Sequence, residues 1–197
     1  RIFEIKERHD FDPLIVHIGN MKDLNHVCLE VNEFMMLLAE KFWPGPLTMV
    51  VPKKETVPGI VTSGLSTVAV RMPAHPVALE LINGSRTPIA APSANKFGMI
   101  SPTEAVHVQK QLSGFDFVVD GGKTTIGLES TVIALSDDGF CLLRPGAISS
   151  HEIGKFIPKA RYSNKIENQP HSPGQLKSHY SPRKPIYIKG ETNYGSD

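Results

Sequence analysis

Thr131-Val132-Ile133-Ala134-Leu135-Ser136-Asp137-Asp138-Gly139-Phe140-Cys141-Leu142-Leu143-Arg144 is the stretch on which the fold turns. Two apolar runs, Thr131–Leu135 and Phe140–Leu143, flank a Ser-Asp-Asp-Gly connection. An Asp-Gly pair between apolar runs is a strong hairpin signal, because glycine takes a positive φ without strain. The two runs are therefore expected to pair antiparallel. Upstream, strands and helices alternate, which by itself points to parallel pairing. A hairpin added to that alternation predicts an α+β chain (α/β-like), with a twisted mixed sheet flanked by helices.

Working outward, Leu14–Ile18 is a continuous apolar run and reads as a buried strand. Apolar side chains at 31, 34, 35, 37, 38 and 42 have amphipathic-helix spacing. Trp43-Pro44-Gly45-Pro46 must stop that helix, since proline cannot continue it. Leu47–Val51 and Thr67–Met72 read as strands across a loop holding Pro58, Gly59 and Gly64, and His75–Ile82 reads as a short helix ending near Asn83-Gly84. Pro88–Ala91 is a strand leading into the Pro92-Ser93-Ala94-Asn95 turn. Ser101, Pro102 and Glu104 have the pattern of a helix start, with Ser101 as N-cap in a capping box. Phe117–Val119 reads as a further strand, and Ser149 with Glu152 caps a last helix to Phe156. The expected organisation is one domain over 1–157, a polar linker over 158–185 rich in Pro, Ser, Asn and Lys, and the start of a second domain or a tail over 186–197.

Composition narrows the function classes. The 197 residues are 40% hydrophobic, enough for a buried core, and no apolar run approaches the roughly 18 residues of a membrane span. Cys28 and Cys141 each lie in apolar context and read as reduced core residues, pointing to the cytosol. A start at Arg1, without initiator Met or signal peptide, suggests a processed or partly represented protein. The net charge of +1 conceals a basic tail: residues 151–197 hold eight Lys/Arg and four Asp/Glu. That balance suits RNA contact or an ordinary solvated linker, and the rest of the chain is too acidic to make nucleic acid its main ligand.

Six short polar motifs sit in order at the ends of apolar runs or close to them. They are Lys6-Glu7-Arg8, Pro13-Leu14-Ile15-Val16-His17, Arg71-Met72-Pro73, Ala91-Pro92-Ser93-Ala94-Asn95, Glu129-Ser130-Thr131 and Leu143-Arg144-Pro145-Gly146. Strand ends are where open sheets gather ligand-binding groups, and cations with hydroxyls hold phosphates and carboxylates. An anionic small molecule is the implied ligand. Gly121-Gly122-Lys123-Thr124 is not a P-loop, because Phe117 stands where the first glycine is needed. No Gly-x-Ser-x-Gly frame is present, no two histidines pair at i, i+4 on a helix, and two distant cysteines make no zinc site. His17, taken alone, reads as a structural histidine in an apolar strand.

These motifs, from Lys6 to Gly146, resemble the YrdC-like fold of threonylcarbamoyl-AMP synthases. The tail run Ser172-Pro173-Gly174-Gln175-Leu176-Lys177-Ser178-His179-Tyr180-Ser181-Pro182 is similar to the linker of the long, two-domain members, although it departs from the usual sequence at Gln175, Leu176, Ser178 and Ser181. The resemblance also predicts about 50 further residues at the front, and a second domain of which only the first strand is represented. His9 stands where a proline is common, and Asp12 where an asparagine is frequent near the nucleotide. An aspartate there calls for a metal or cation beside it if phosphates are to approach.

The implied reaction joins L-threonine, bicarbonate and ATP into threonylcarbamoyl-adenylate and pyrophosphate, for threonylcarbamoyladenosine modification of tRNA. It implies magnesium held by the phosphates with no protein ligand set, and tRNA or tRNA-modification proteins as further partners. Matched by motif, Lys6 and Arg8 are the expected catalytic cations. Arg8, Asp12, Ser93, Asn95, Ser101, Arg144 and Tyr180 are expected at ATP. His17, Thr67, Arg71, Ala91 and Ser130 are expected at threonine, with Arg71 on its carboxylate. Ser101 and Tyr180 also have structural readings, as helix cap and linker anchor. The alternatives are a non-catalytic RNA-binding module of the same fold and a carbamoyl-transfer module.

Overall fold

The computed structural model describes residues 1–8 and 12–157. Its sheet has six strands: β1 (Ile15–His17), β2 (Leu47–Pro52), β3 (Thr67–Arg71), β4 (Ile89–Ala91), β5 (Thr131–Ser136) and β6 (Gly139–Arg144). Their order is β4-β1-β3-β2-β5-β6. β1 runs parallel to β3 and β2 to β5, while β1–β4, β2–β3 and β5–β6 are antiparallel. The Asp138-Gly139 turn closes the β5–β6 hairpin, and the sheet is mixed, as the opening stretch implies.

Alternation along the strands assigns each face a task. Val16, Leu47, Met49, Val51, Val68, Val70 and Ile133 point into the main core. There they meet Met35, Leu38 and Ala39 of the helix Glu33–Phe42, and Ile153 of the helix Ser150–Gly154. The first of these helices starts because the Asn32 side chain accepts from Met35 N at 2.9 Å. The second carries the Ser149–Glu152 capping box expected from sequence. The opposite face has only a narrow apolar strip, Ile15, Ala69, Val50 and Val132. Polar side chains flank that strip, so this second face is the one able to hold a polar ligand.

Two expectations are corrected. The helix after the Ser-Ala-Asn turn is Ala105–Gln111, with Glu104 at its N-cap and no side-chain cap. Ser101 is not its cap, because its hydroxyl donates to Glu129 instead. Phe117–Val119 is not a strand. Phe117 is 89% and Val119 67% exposed, and a short apolar run without a neighbouring strand gains no ladder of hydrogen bonds. The linker, the segment 186–197, His9 and Tyr180 lie outside the described residues. Among the described residues neither Cys28 nor Cys141 is in a disulfide. Among the described residues no helix is long and apolar enough to cross a membrane.

Candidate active site

A single rung crosses the sheet on its polar face. His17 pairs with Arg71, Thr48 with Val132, and Val132 with Arg144. Continuing the β2–β3 register by one residue sets Arg71 opposite Thr48. Register, invisible in motif order, therefore brings His17, Arg71, Thr48 and Arg144 into line. Ala91 faces Ile15 on the next rung of the same face. Thr67 pairs with Pro52 at the other end of β3. Four residues of strand, about 13 Å, separate it from Arg71, so the structure does not bring these two expected threonine contacts together.

Arg71 is held by one end. Its Nε donates to Gly45 O at 3.0 Å, and Gly45 N in turn donates to Met72 O at 2.9 Å. The Trp43–Pro46 turn thus does more than stop a helix; it aims a guanidinium. Among the described residues the terminal nitrogens of Arg71 bond to no other group. Burial lowers the pKa of Arg71, Arg144 adds to that, and the Glu129 carboxylate opposes it.

His17 stays neutral. Burial holds its pKa down to about 4, against an ordinary value of 6.5, and the nearby Arg71 charge pushes the same way. Below pH 6.5 the unfolded chain binds a proton that the folded chain refuses, so stability falls as pH drops from about 6.5 to about 4. The shift corresponds to about 3 kcal/mol at most. His17→Gln is expected to flatten the difference in urea midpoint between pH 7.5 and 4.5. A slope equal to the wild type's would show that His17 is not the group responsible.

Ser130 and Arg144 brace each other. Arg144 donates from Nε to Ser130 O at 3.1 Å, and from Nη2 to Ser130 O and Oγ at 2.9 Å each. The Ser130 hydroxyl also shares a hydrogen bond of 2.8 Å with Thr48 Oγ1. Gly146 lies so close that a Cβ would stand 2.4 Å from Thr131 N and 2.5 Å from Glu129 O, which leaves room only for glycine. Motif reading missed Thr48 and Glu129. The carboxylate of Glu129 accepts from the Ser101 hydroxyl and has Arg144 Nη2 3.9 Å away.

On the other flank, the short helix Ile2–Lys6 carries a buried lysine to the Ser-Ala-Asn turn. Lys6 Nζ donates to the carbonyls of Ser93 and Asn95, and Phe97 N donates back to Lys6 O at 2.9 Å. Burial, helped by Arg8, lowers the Lys6 pKa to about 8, while Glu129 and Asp12 pull it upward. The Asn95 amide donates to Lys96 O and Met99 O at 2.8 Å each, leaving its Oδ1 a buried acceptor without a hydrogen bond among the described residues. Arg8 turns toward the start of β1. It donates to Pro13 O at 2.7 Å and to Asp12 O at 3.1 Å, and its Nη2 lies 2.8 Å from Asp12 Oδ2. The cation that Asp12 requires is therefore Arg8.

The site thus gathers Lys6, Arg71 and Arg144 with hydroxyls and one partly exposed carboxylate, and among the described residues no triad of nucleophile and base. Residues 1–146 match the Sua5/YciO/YrdC family model, described as telomere recombination, and residues 148–196 match the C-terminal domain of threonylcarbamoyl-AMP synthase. Threonylcarbamoyl-AMP synthase of Pyrococcus abyssi is 46% identical over 95% of this chain and 57% of its own length. The Bacillus subtilis enzyme is 45% identical over 95% and 56%. The crystal structure of P. abyssi Sua5 complexed with L-threonine superposes with a TM-score of 0.87 at 48% identity, covering 92% of this chain and 55% of that one. Escherichia coli YciO, at 18% identity and a TM-score of 0.58, shares the fold. The chain spans just over half the length of these synthases. The fold is YrdC-like, and the chain belongs to the Sua5/YciO/YrdC family.

Proposed function

We propose that this chain carries the active site of a threonylcarbamoyl-AMP synthase, which joins L-threonine, bicarbonate and ATP with release of pyrophosphate. The observation that carries the reading is Arg71, a largely buried guanidinium fixed through Nε, its terminal fork unbonded among the described residues, beside a neutral His17. Such a fork suits a carboxylate, to which arginine bonds in a bidentate manner. The synthase names of the relatives and the L-threonine complex of P. abyssi Sua5 support the same substrate.

The chemistry needs no protein nucleophile. The amine of threonine and bicarbonate give a carbamate and water. A carbamate oxygen then attacks the α-phosphorus of ATP, and pyrophosphate leaves. Catalysis consists of positioning and of stabilising charge. Arg71 holds the carboxylate end of threonine, with Ala91 on the adjoining rung. Lys6, fixed between Ser93 and Asn95, faces the phosphate end. Arg8 and Asp12 shape the start of β1, and Ser130 with Arg144 keeps the loop before β5 in place. Tyr180 of the linker is proposed to cover the adenylate. Among the described residues no three His, Cys, Asp or Glu side chains converge on a possible metal site, so magnesium would ride on the triphosphate oxygens. A cytoplasmic setting, with tRNA modification as the destination of the product, belongs to the same proposal.

The test is pyrophosphate release in the presence of magnesium and ATP. Release is expected only when threonine and bicarbonate are both present. Arg71→Ala is expected to raise the KM for threonine by about 30- to 100-fold, the effect of removing a charged hydrogen-bonding partner. An unchanged KM removes Arg71 from the threonine site. RNA binding that weakens with salt, with no turnover, would move the assignment to a binding module.

A further inference from the structure

A zwitterionic amino acid brings an ammonium as well as a carboxylate, and a site of three cations repels that ammonium unless a carboxylate receives it. Glu129 is placed to do so. Its carboxylate lies close enough to Lys6 and Arg71 to raise the pKa of both, and it sits 3.9 Å from Arg144 Nη2. It is also tied to Arg71 through neighbouring loops. Gly45 O holds Arg71, the adjoining Pro46 O accepts from Thr131 N at 2.9 Å, and Glu129 lies two residues before Thr131.

The residue is rigidly set. The Ser101 hydroxyl fixes Oε1, the backbone carbonyl of Glu129 accepts from Ala147 N at 3.3 Å, and Arg144 pins the next residue. Among the described residues Oε2 has just the longer contact to Arg144, and the side chain is 27% exposed. The result is a carboxylate anchored through one oxygen among the cations of the site, and its partial exposure leaves it within reach of a ligand.

We propose that Glu129 receives the ammonium group of the amino-acid substrate. With Arg71 on the carboxylate, it selects an α-amino acid over the corresponding 2-hydroxy acid. The proposal rests on the synthase reading and gives a role to the one acidic residue of the six motifs' Glu-Ser-Thr segment. The ammonium must still lose its proton before the carbamate forms, so Glu129 is a residue of recognition and orientation.

Calorimetric titration of the full chain with L-threonine and with 2,3-dihydroxybutanoate, its hydroxy analogue, tests this directly. Wild type is expected to prefer threonine by at least about tenfold, the scale of one charged hydrogen bond. Glu129→Gln is expected to weaken threonine by about that factor and to leave the analogue within about twofold. Glu129→Asp keeps the charge and is expected to keep the preference. A non-hydrolysable ATP analogue, titrated in parallel, reports whether the site is intact. Glu129→Gln with wild-type discrimination overturns the proposal, as does Glu129→Asp losing discrimination while still binding the nucleotide analogue. Wild type binding neither threonine nor its analogue would instead overturn the synthase reading on which the proposal stands.

Discussion

Asp12→Ala is expected to destabilise the protein by about 3–5 kcal/mol, the cost of breaking a buried ion pair from one side. Arg8 and Asp12 are 3% and 1% exposed, and their charged groups are 2.8 Å apart. Removing the carboxylate leaves the guanidinium facing the carbonyls of residues 12 and 13 without the anion that balances it. Urea unfolding reads the loss, and a fall of less than about 1 kcal/mol would mean the pair acts as an exposed one does. The paired variant Arg8→Met with Asp12→Leu is expected to recover most of the stability, because neither desolvated charge remains. It also separates two roles for Arg8. If the double variant is stable but cannot form the adenylate, Arg8 reaches the nucleotide as well as bracing β1. If it is stable and active, Arg8 is a strut alone.

That Arg8 has this second role was out of reach of sequence reading, and the reason is general. Alternation and turn chemistry are local, so β1, β2, β3 and the β5–β6 hairpin were legible to within a residue or two, as was the Ser149 cap. The partners of a polar side chain are set by register and by distant loops. The family resemblance implies Thr67 and Arg71 at one ligand, while the strand between them carries them to different ends of the face. Ser101 had the local look of a cap, yet a hydroxyl goes to the strongest nearby acceptor, here a carboxylate 28 residues away. Phe117–Val119 had the apolar character of a strand, but a ladder needs a neighbour and its own residues cannot supply one. Glu129 and Thr48 went unassigned for the same reason. What marks them is the cationic rung they meet, and that rung exists only once five strands are in register.

Lys6→Gln is expected to cut turnover by about 10²- to 10³-fold, the usual loss on removing one preorganised donor from a site where charge develops. The argument lies in how the amine is held. Two of the tetrahedral positions of Nζ are taken by the carbonyls of Ser93 and Asn95, so its direction is fixed before any ligand arrives. Its proton is loosely held, since burial and the Arg8 charge bring the pKa to about 8 from an ordinary 10.5. Below pH 8 the ammonium is present and attracts phosphate; above it the amine is neutral and the attraction is lost. Affinity for a non-hydrolysable ATP analogue is therefore expected to be level up to about pH 8, then to fall by up to about tenfold per pH unit until the raised pKa of the bound state is reached. An affinity that stays level to pH 10 would place Lys6 away from the phosphates. Because Glu129 pulls the Lys6 pKa upward, Glu129→Gln is expected to move the midpoint of this fall to lower pH. A midpoint indifferent to Glu129 would mean that another group sets the pH dependence, and Lys6 would then have to be judged by Lys6→Gln turnover alone.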